Sequence, residues 1–111
     1  MSRRTKSNQT VMRDNLVLDF IRSHKGVENC VSKKVIASFL SQNGFEGSAD
    51  IIHNIVLKLI HERNVPICSV NTKGYYWATN QEEIKNSIAD LRGRIEALQK
   101  RIDVLNTFIV N

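Results

Sequence analysis

The chain has 111 residues, 41% of them apolar, and a formal net charge of +5. That length fits one small domain with an appendage, and the apolar share is that of an ordinary globular protein rather than a disordered or membrane-embedded one. The longest apolar runs are a few residues and the opening MSRRTKSNQT has no apolar segment behind its charges, so no membrane partner, transmembrane anchor or signal peptide is expected, and the protein is placed in the cytoplasm.

The charge is unevenly spread. From residue 80 onward, Lys85, Arg92, Arg94, Lys100 and Arg101 are cancelled by Glu82, Glu83, Asp90, Glu96 and Asp103, so the excess lies earlier. Arg3, Arg4, Lys6 and Arg13 come before any acid and give the opening segment +4, against about +1 for residues 14–79. A basic arm on a near-neutral body suits an anionic partner. Residues 1–10 cannot bury an apolar face and are expected to be disordered when free. Cys30 and Cys68 lack CxxC spacing and sit in apolar or strand-like surroundings, which points to reduced thiols rather than a disulfide or redox pair.

Residues 11–24 carry Val11, Leu16, Val17, Phe20 and Ile21 on a helical stripe that Gly26 stops. After VENCV, Ser32 is placed to cap a helix through Lys33, Lys34, Val35, Ile36, Ala37, Phe39 and Leu40. Lysines in a first turn oppose the helix dipole, so Lys33 and Lys34 are either solvated or held against a phosphate. Gln42, Asn43 and Gly44 end that helix, and Phe45 can fold back on the core.

A third helix follows over SADIIHNIVLKLIHER, residues 48–63. Ile51, Ile52, Ile55, Val56, Leu59 and Ile60 wind onto one wide face and leave Asp50, His53, Asn54, Lys58 and His61 outside. VPICSV, residues 65–70, reads as a strand with Pro66 near its start, where a missing N–H is tolerated. Asn71 to Gly74 makes a turn with Lys73 at its tip. Tyr75 to Ala78 returns, with Tyr75 and Trp77 on one face and Tyr76 on the other.

From Thr79, which forms a T-x-x-E capping box with Glu82, no proline interrupts the chain. Apolar residues recur at Ile84, Ile88, Leu91, Ile95, Leu98, Ile102, Leu105 and Ile109 in alternating steps of four and three. With the last three isoleucines and Ile88 at heptad position a and the others at d, the pattern favours a parallel two-stranded coiled coil. About four heptads, roughly 45 Å at 1.5 Å per residue, would be weak alone and need support from the body. Arg94 and Arg101 at g face Gln99 and Asn106 at e, which neither attract nor repel them. The alternatives are a helix folded back on the first helix of its own chain, or an antiparallel pair. Gly93 within it costs about 1 kcal/mol relative to alanine.

Enzyme chemistry is not expected. The sequence has no glycine-rich phosphate loop, HExxH, nucleophile elbow or carboxylate pair in an apolar setting. His53 and His61 match no zinc spacing, so no metal and no cofactor are expected.

Helix, turn, helix and hairpin in this order resemble a winged helix-turn-helix over residues 12–78. The junction GYYWATNQEEIKNSIADLRGRIEALQKRI resembles that of small phage and prophage proteins in which a wing strand G-Y-Y-x-A/P-T runs into an acidic-capped coiled-coil helix. The expected architecture is therefore α+β, mostly α, in three parts: residues 1–10 a basic arm, 11–78 a winged helix domain and 79–111 a coiled-coil dimerisation helix. The resemblance implies binding to double-stranded DNA and a mobile-element origin. Ser48, Asp50, His53, Asn54, Leu57 and Lys58 would then face the DNA, Asn54 suiting adenine and Leu57 a thymine methyl. Asp50 repels phosphate, so affinity would rest on Lys33, Lys34, Lys73 and the arm residues Arg3, Arg4 and Lys6. The leading expectation is a homodimeric transcriptional regulator, nucleoid-associated when DNA-bound. Its competitors are a protein-interaction module that engages a host or phage protein, and a phage replication or origin-binding protein.

Overall fold

The computed structural model describes residues 2–70 and 73–110, with side chains from residue 8 onward. The described residues form an α+β, mostly α arrangement: α1 (Ser2–Arg22), a short 3-10 turn (Val27–Asn29), α2 (Lys33–Gln42), α3 (Ala49–Arg63), the hairpin β1 (Ile67–Val70) and β2 (Gly74–Trp77), and α4 (Gln81–Asn106).

The first helix starts at Ser2, so one continuous helix runs across the expected boundary at residue 10. No proline or glycine occurs between Ser2 and Arg22, and a helix nucleated on the core can extend outward through such a segment. Its buried stripe is Asp14, Val17, Leu18 and Ile21, at i, i+3, i+4 and i+7. Val11, expected on that stripe, lies 49% exposed one turn before the core begins.

Ser32 caps α2 as expected, its Oγ accepting the Val35 N–H at 3.2 Å. Ile36, Ala37 and Leu40 are buried, whereas Val35 points to solvent. The helix ends in a Schellman motif: Gly44 at φ 84 lets its own N–H reach the Ser41 carbonyl and that of Phe45 reach Leu40, and Phe45 folds onto the core. Gly47 then passes so close to α2 that a Cβ would collide with the Ala37 carbonyl. This approach brings the start of α3 against α2. Ser48 caps α3, accepting the Ile51 N–H at 3.3 Å.

The wide apolar face of α3 is buried, with Ile52, Ile55, Val56 and Leu59 all at 2% exposure or less. At about 1.5–3 kcal/mol for each side chain removed from water, this face is a main source of cohesion. It packs with Val17, Ile21, Ile36 and Leu40 and the inner hairpin residues Ile67 and Tyr75. Phe20 stacks on Phe39 with ring centroids 4.3 Å apart, which closes α1 on α2.

The hairpin is antiparallel, with Ile67 opposite Trp77 and Cys68 opposite Tyr76. It alternates as its sequence suggests: Tyr75 and Trp77 face the helical core, while Tyr76 joins Cys68 and Ala78 on the other side. VENCV, read only as a connection, supplies further pairing, because Val31 exchanges two 2.8 Å backbone hydrogen bonds with Tyr75. Gly74 at φ 132 makes room for this segment, since a Cβ there would meet the Val31 carbonyl. Cys30 and Cys68 consequently flank Tyr76, about two strand spacings or 10 Å apart, which exceeds the roughly 7 Å reach of a disulfide. Both are free thiols.

Asn80, not Thr79, caps α4. Its Oδ1 accepts the Glu83 N–H at 2.9 Å, one residue beyond the expected box. Glu83 Oε1 accepts the Thr79 N–H at 2.8 Å and its Oε2 accepts the Val27 N–H at 2.8 Å. One carboxylate thus fastens α4 to the turn after α1. The first turns of α4 lie along β1 and the outer face of the hairpin, and none of the described residues of this helix is buried. It does not fold back to cover its apolar stripe. The helix ends at Asn106, before Ile109, which therefore falls off the heptad seam. The β-branched Thr107, Ile109 and Val110 favour helix poorly, and the Thr107 hydroxyl donates to the Val104 carbonyl at 2.6 Å.

Candidate nucleic-acid interface

Three elements bring their polar side chains to one surface. The Tyr75 hydroxyl of β2 meets His53 Nδ1 of α3 at 3.3 Å, and the Lys33 ammonium of α2 lies 6.0 Å from the centre of the Tyr75 ring. Lys33 and His53, twenty positions apart in sequence, are therefore joined through an aromatic ring of the hairpin. Burial pushes the Tyr75 phenol up, with the Arg94 guanidinium partly opposing it, so the hydroxyl stays protonated. Nothing in the sequence singled out Tyr75 except its place on the inner face of a short strand.

An open groove of about 650 Å³ runs between α2 and the start of α3, lined by Lys34, Ser38, Ser41, Gln42 and Ser48 among others. Ser48 lines it while its hydroxyl caps α3. Along the outer face of α3, Asp50, His53, Asn54 and Leu57 are exposed, Leu57 by 43%. Asp50 stands in the first turn, where a carboxylate is stabilised by the helix dipole. Its position is thus accounted for by the helix itself. Lys73 is exposed at the end of the hairpin turn. Arg3, Arg4 and Lys6 lie outside the described side chains.

Lys58 departs from the expected arrangement. Its ammonium donates to Asp14 Oδ2 at 2.9 Å, while Asp14 Oδ1 accepts from Arg13 at 3.1 Å. Asp14 is only 4% exposed, so Lys58 neutralises a buried carboxylate and joins α3 to α1, with its own side chain 40% exposed. Position 58 lies on the flank of the helix, between the buried stripe and the outer face, and the neighbouring acid decides which way it turns. Arg63, which donates to Asn15 Oδ1 at 2.9 Å, reinforces the same contact. Asp14 could have been found from its spacing to Val17, Leu18 and Ile21, but an acid on an apolar stripe gives no hint of its partner.

The other surface not accounted for by the body is the stripe of α4. Ile84, Ile88, Leu91, Ile95, Leu98, Ile102 and Leu105 are between 37% and 64% exposed. A single chain leaves this ribbon in water. No helix among the described residues is long and apolar enough to cross a membrane. Comparison with family models, curated proteins and solved structures finds no match to this chain.

Proposed function

We propose that the chain is a winged helix protein that binds duplex DNA as a homodimer and regulates transcription in a phage or other mobile element. The observation that carries this reading is the Lys33–Tyr75–His53 contact, which gathers the start of α2, the outer face of α3 and the hairpin on one side of the molecule. Val31 beside β2, followed by two helices and the hairpin, fits the connectivity of a winged helix. In this reading Asn54 and Leu57 meet base edges in the major groove. Lys33, Lys34 and Lys73 meet phosphates, and the arm adds non-specific affinity. The groove beside Lys34 receives the backbone of one strand.

Selection of bound sequences from random duplex DNA tests the reading directly. Recovery of an inverted repeat is the expected result, and recovery of random sequence would remove sequence-specific recognition. A second reading, a protein-interaction module, is favoured by one observation: with Lys58 turned to Asp14, the first turn of α3 presents Asp50. Absence of duplex binding at low salt, together with a stable complex captured from lysate through residues 80–111, would decide for it.

A further inference from the structure

The stripe on α4 carries a direction as well as a partner. Resting on the homodimer reading above, we infer that two copies of α4 pair parallel and in register, so that both bodies stand at the same end of one coiled coil.

The residues that flank the stripe set this direction. In the parallel arrangement, position g of one helix faces position e of the next heptad of the other. Ser87 then faces Arg92 of the partner subunit, Arg94 faces Gln99 of the partner subunit and Arg101 faces Asn106 of the partner subunit. No like charges meet, and each layer is Ile on Ile or Leu on Leu. The antiparallel arrangement that overlaps the stripe most fully sets Ile88 against Leu105, Leu91 against Ile102 and Ile95 against Leu98. It also sets Arg94 against Arg101 of the partner subunit, twice by symmetry. Like charges directly apposed across a helix pair disfavour it. The acids of this segment offer no relief, because Asp90, Glu96 and Asp103 occupy b and c positions on the outer side. Isoleucine at a with leucine at d favours the parallel dimer independently.

The start of the helix agrees. Glu83 ties the first turn of α4 to Val27 and Thr79 of its own body, so the end at which the helix leaves the body is held by three hydrogen bonds. A parallel coil therefore passes a defined orientation to both bodies and offers their two α3 faces from the same end. An antiparallel coil in that register would separate the two helix starts, and with them the bodies, by about 46 Å.

Cysteine cross-linking of the full chain reads the direction. Variants Ile88→Cys and Leu105→Cys are mixed, oxidised and digested, and the linked peptides are identified by mass. The parallel dimer gives 88–88 and 105–105 links at least about tenfold above 88–105 links, and the reverse ratio overturns the direction while leaving a dimer. Should either variant fail to pair, Gln81→Cys, exposed at the helix start, carries donor and acceptor dyes without touching the stripe. Strong transfer is expected, whereas the antiparallel pair separates the two labels by about 46 Å along the axis and gives weak transfer. Sedimentation of the unmodified chain distinguishes the two failures: a monomer at the concentrations used for cross-linking overturns the homodimer reading itself and the direction with it.

Discussion

α3 and α4 are both amphipathic, yet one buries its apolar residues within the chain and the other leaves them in water. On α3 the apolar positions run i, i+1, i+4, i+5 and beyond, and this wide face meets α1, α2 and the hairpin at once; Ile52 is 0% exposed. On α4 they follow a narrow seam at steps of four and three, and Ile95 is 64% exposed. A wide face needs several neighbours, which a globular body supplies. A narrow seam is filled by one helix of the same kind. The contrast separates the apolar surface that stabilises the fold from the apolar surface that one chain leaves exposed.

Substitutions in the two helices should therefore break different properties. The largest effect is expected from Ile52→Ala, which should lower the stability of the body by about 2–5 kcal/mol in urea unfolding. Leu98→Ala at a concentration where the chain is monomeric should leave the urea midpoint within error, but, if α4 pairs with a second copy as proposed, should weaken that pairing by more than tenfold in sedimentation. Equal loss of body stability from both would erase the distinction.

The flank of α3 sharpens it further. Asp14→Ala leaves the Lys58 ammonium without its partner between α1 and α3, and roughly 1–3 kcal/mol of stability should be lost. Lys58→Met should cost less, because Asp14 keeps Arg13 and the lysine side chain is 40% exposed. If the outer face binds DNA as proposed, Lys58→Met should leave affinity unchanged under conditions where the protein is folded. Lys33→Glu with Lys34→Glu should instead weaken binding to all sequences alike and reduce the salt slope by about 1 for each phosphate contact removed.

The smallest effects belong to the joint between the two regions. Asn80→Ala removes a helix cap and should lower stability by about 1 kcal/mol. Hydrogen bonds from the Thr79 and Val27 backbones hold the Glu83 carboxyl below its ordinary value. Its contribution is complete above that ordinary value and is lost as pH falls through the lowered folded-state value. The melting temperature of the parent should accordingly fall more between about pH 6 and about pH 3 than that of Glu83→Gln. Parallel curves would remove Glu83 from the joint.

Much of this organisation is legible from local pattern. The α3 stripe, the Ser32 and Ser48 caps, the Gly44 terminus and the alternation of Tyr75, Tyr76 and Trp77 follow from spacing and from the conformational demands of single residues. The capping of α4 was legible only to within one residue, since TNQEE contains two overlapping boxes. Geometry selects Asn80 and Glu83 because the latter also reaches Val27. The strand character of Val31 was hidden because a single paired residue has no period. Lys33 and His53 were each readable as polar and outward, but their common neighbour Tyr75 was not.

Local spacing sets the order of the main helices and strands, most of the inner face of each helix and the heptad seam of α4, since these depend on periodicities of the chain and its caps. Tertiary structure alone decided that Lys58 turns inward to Asp14, that Lys33 and His53 meet through Tyr75, and that the seam stays uncovered within one chain. Each of these depends on which distant residue arrives beside a side chain able to turn either way, and local spacing carries no record of that.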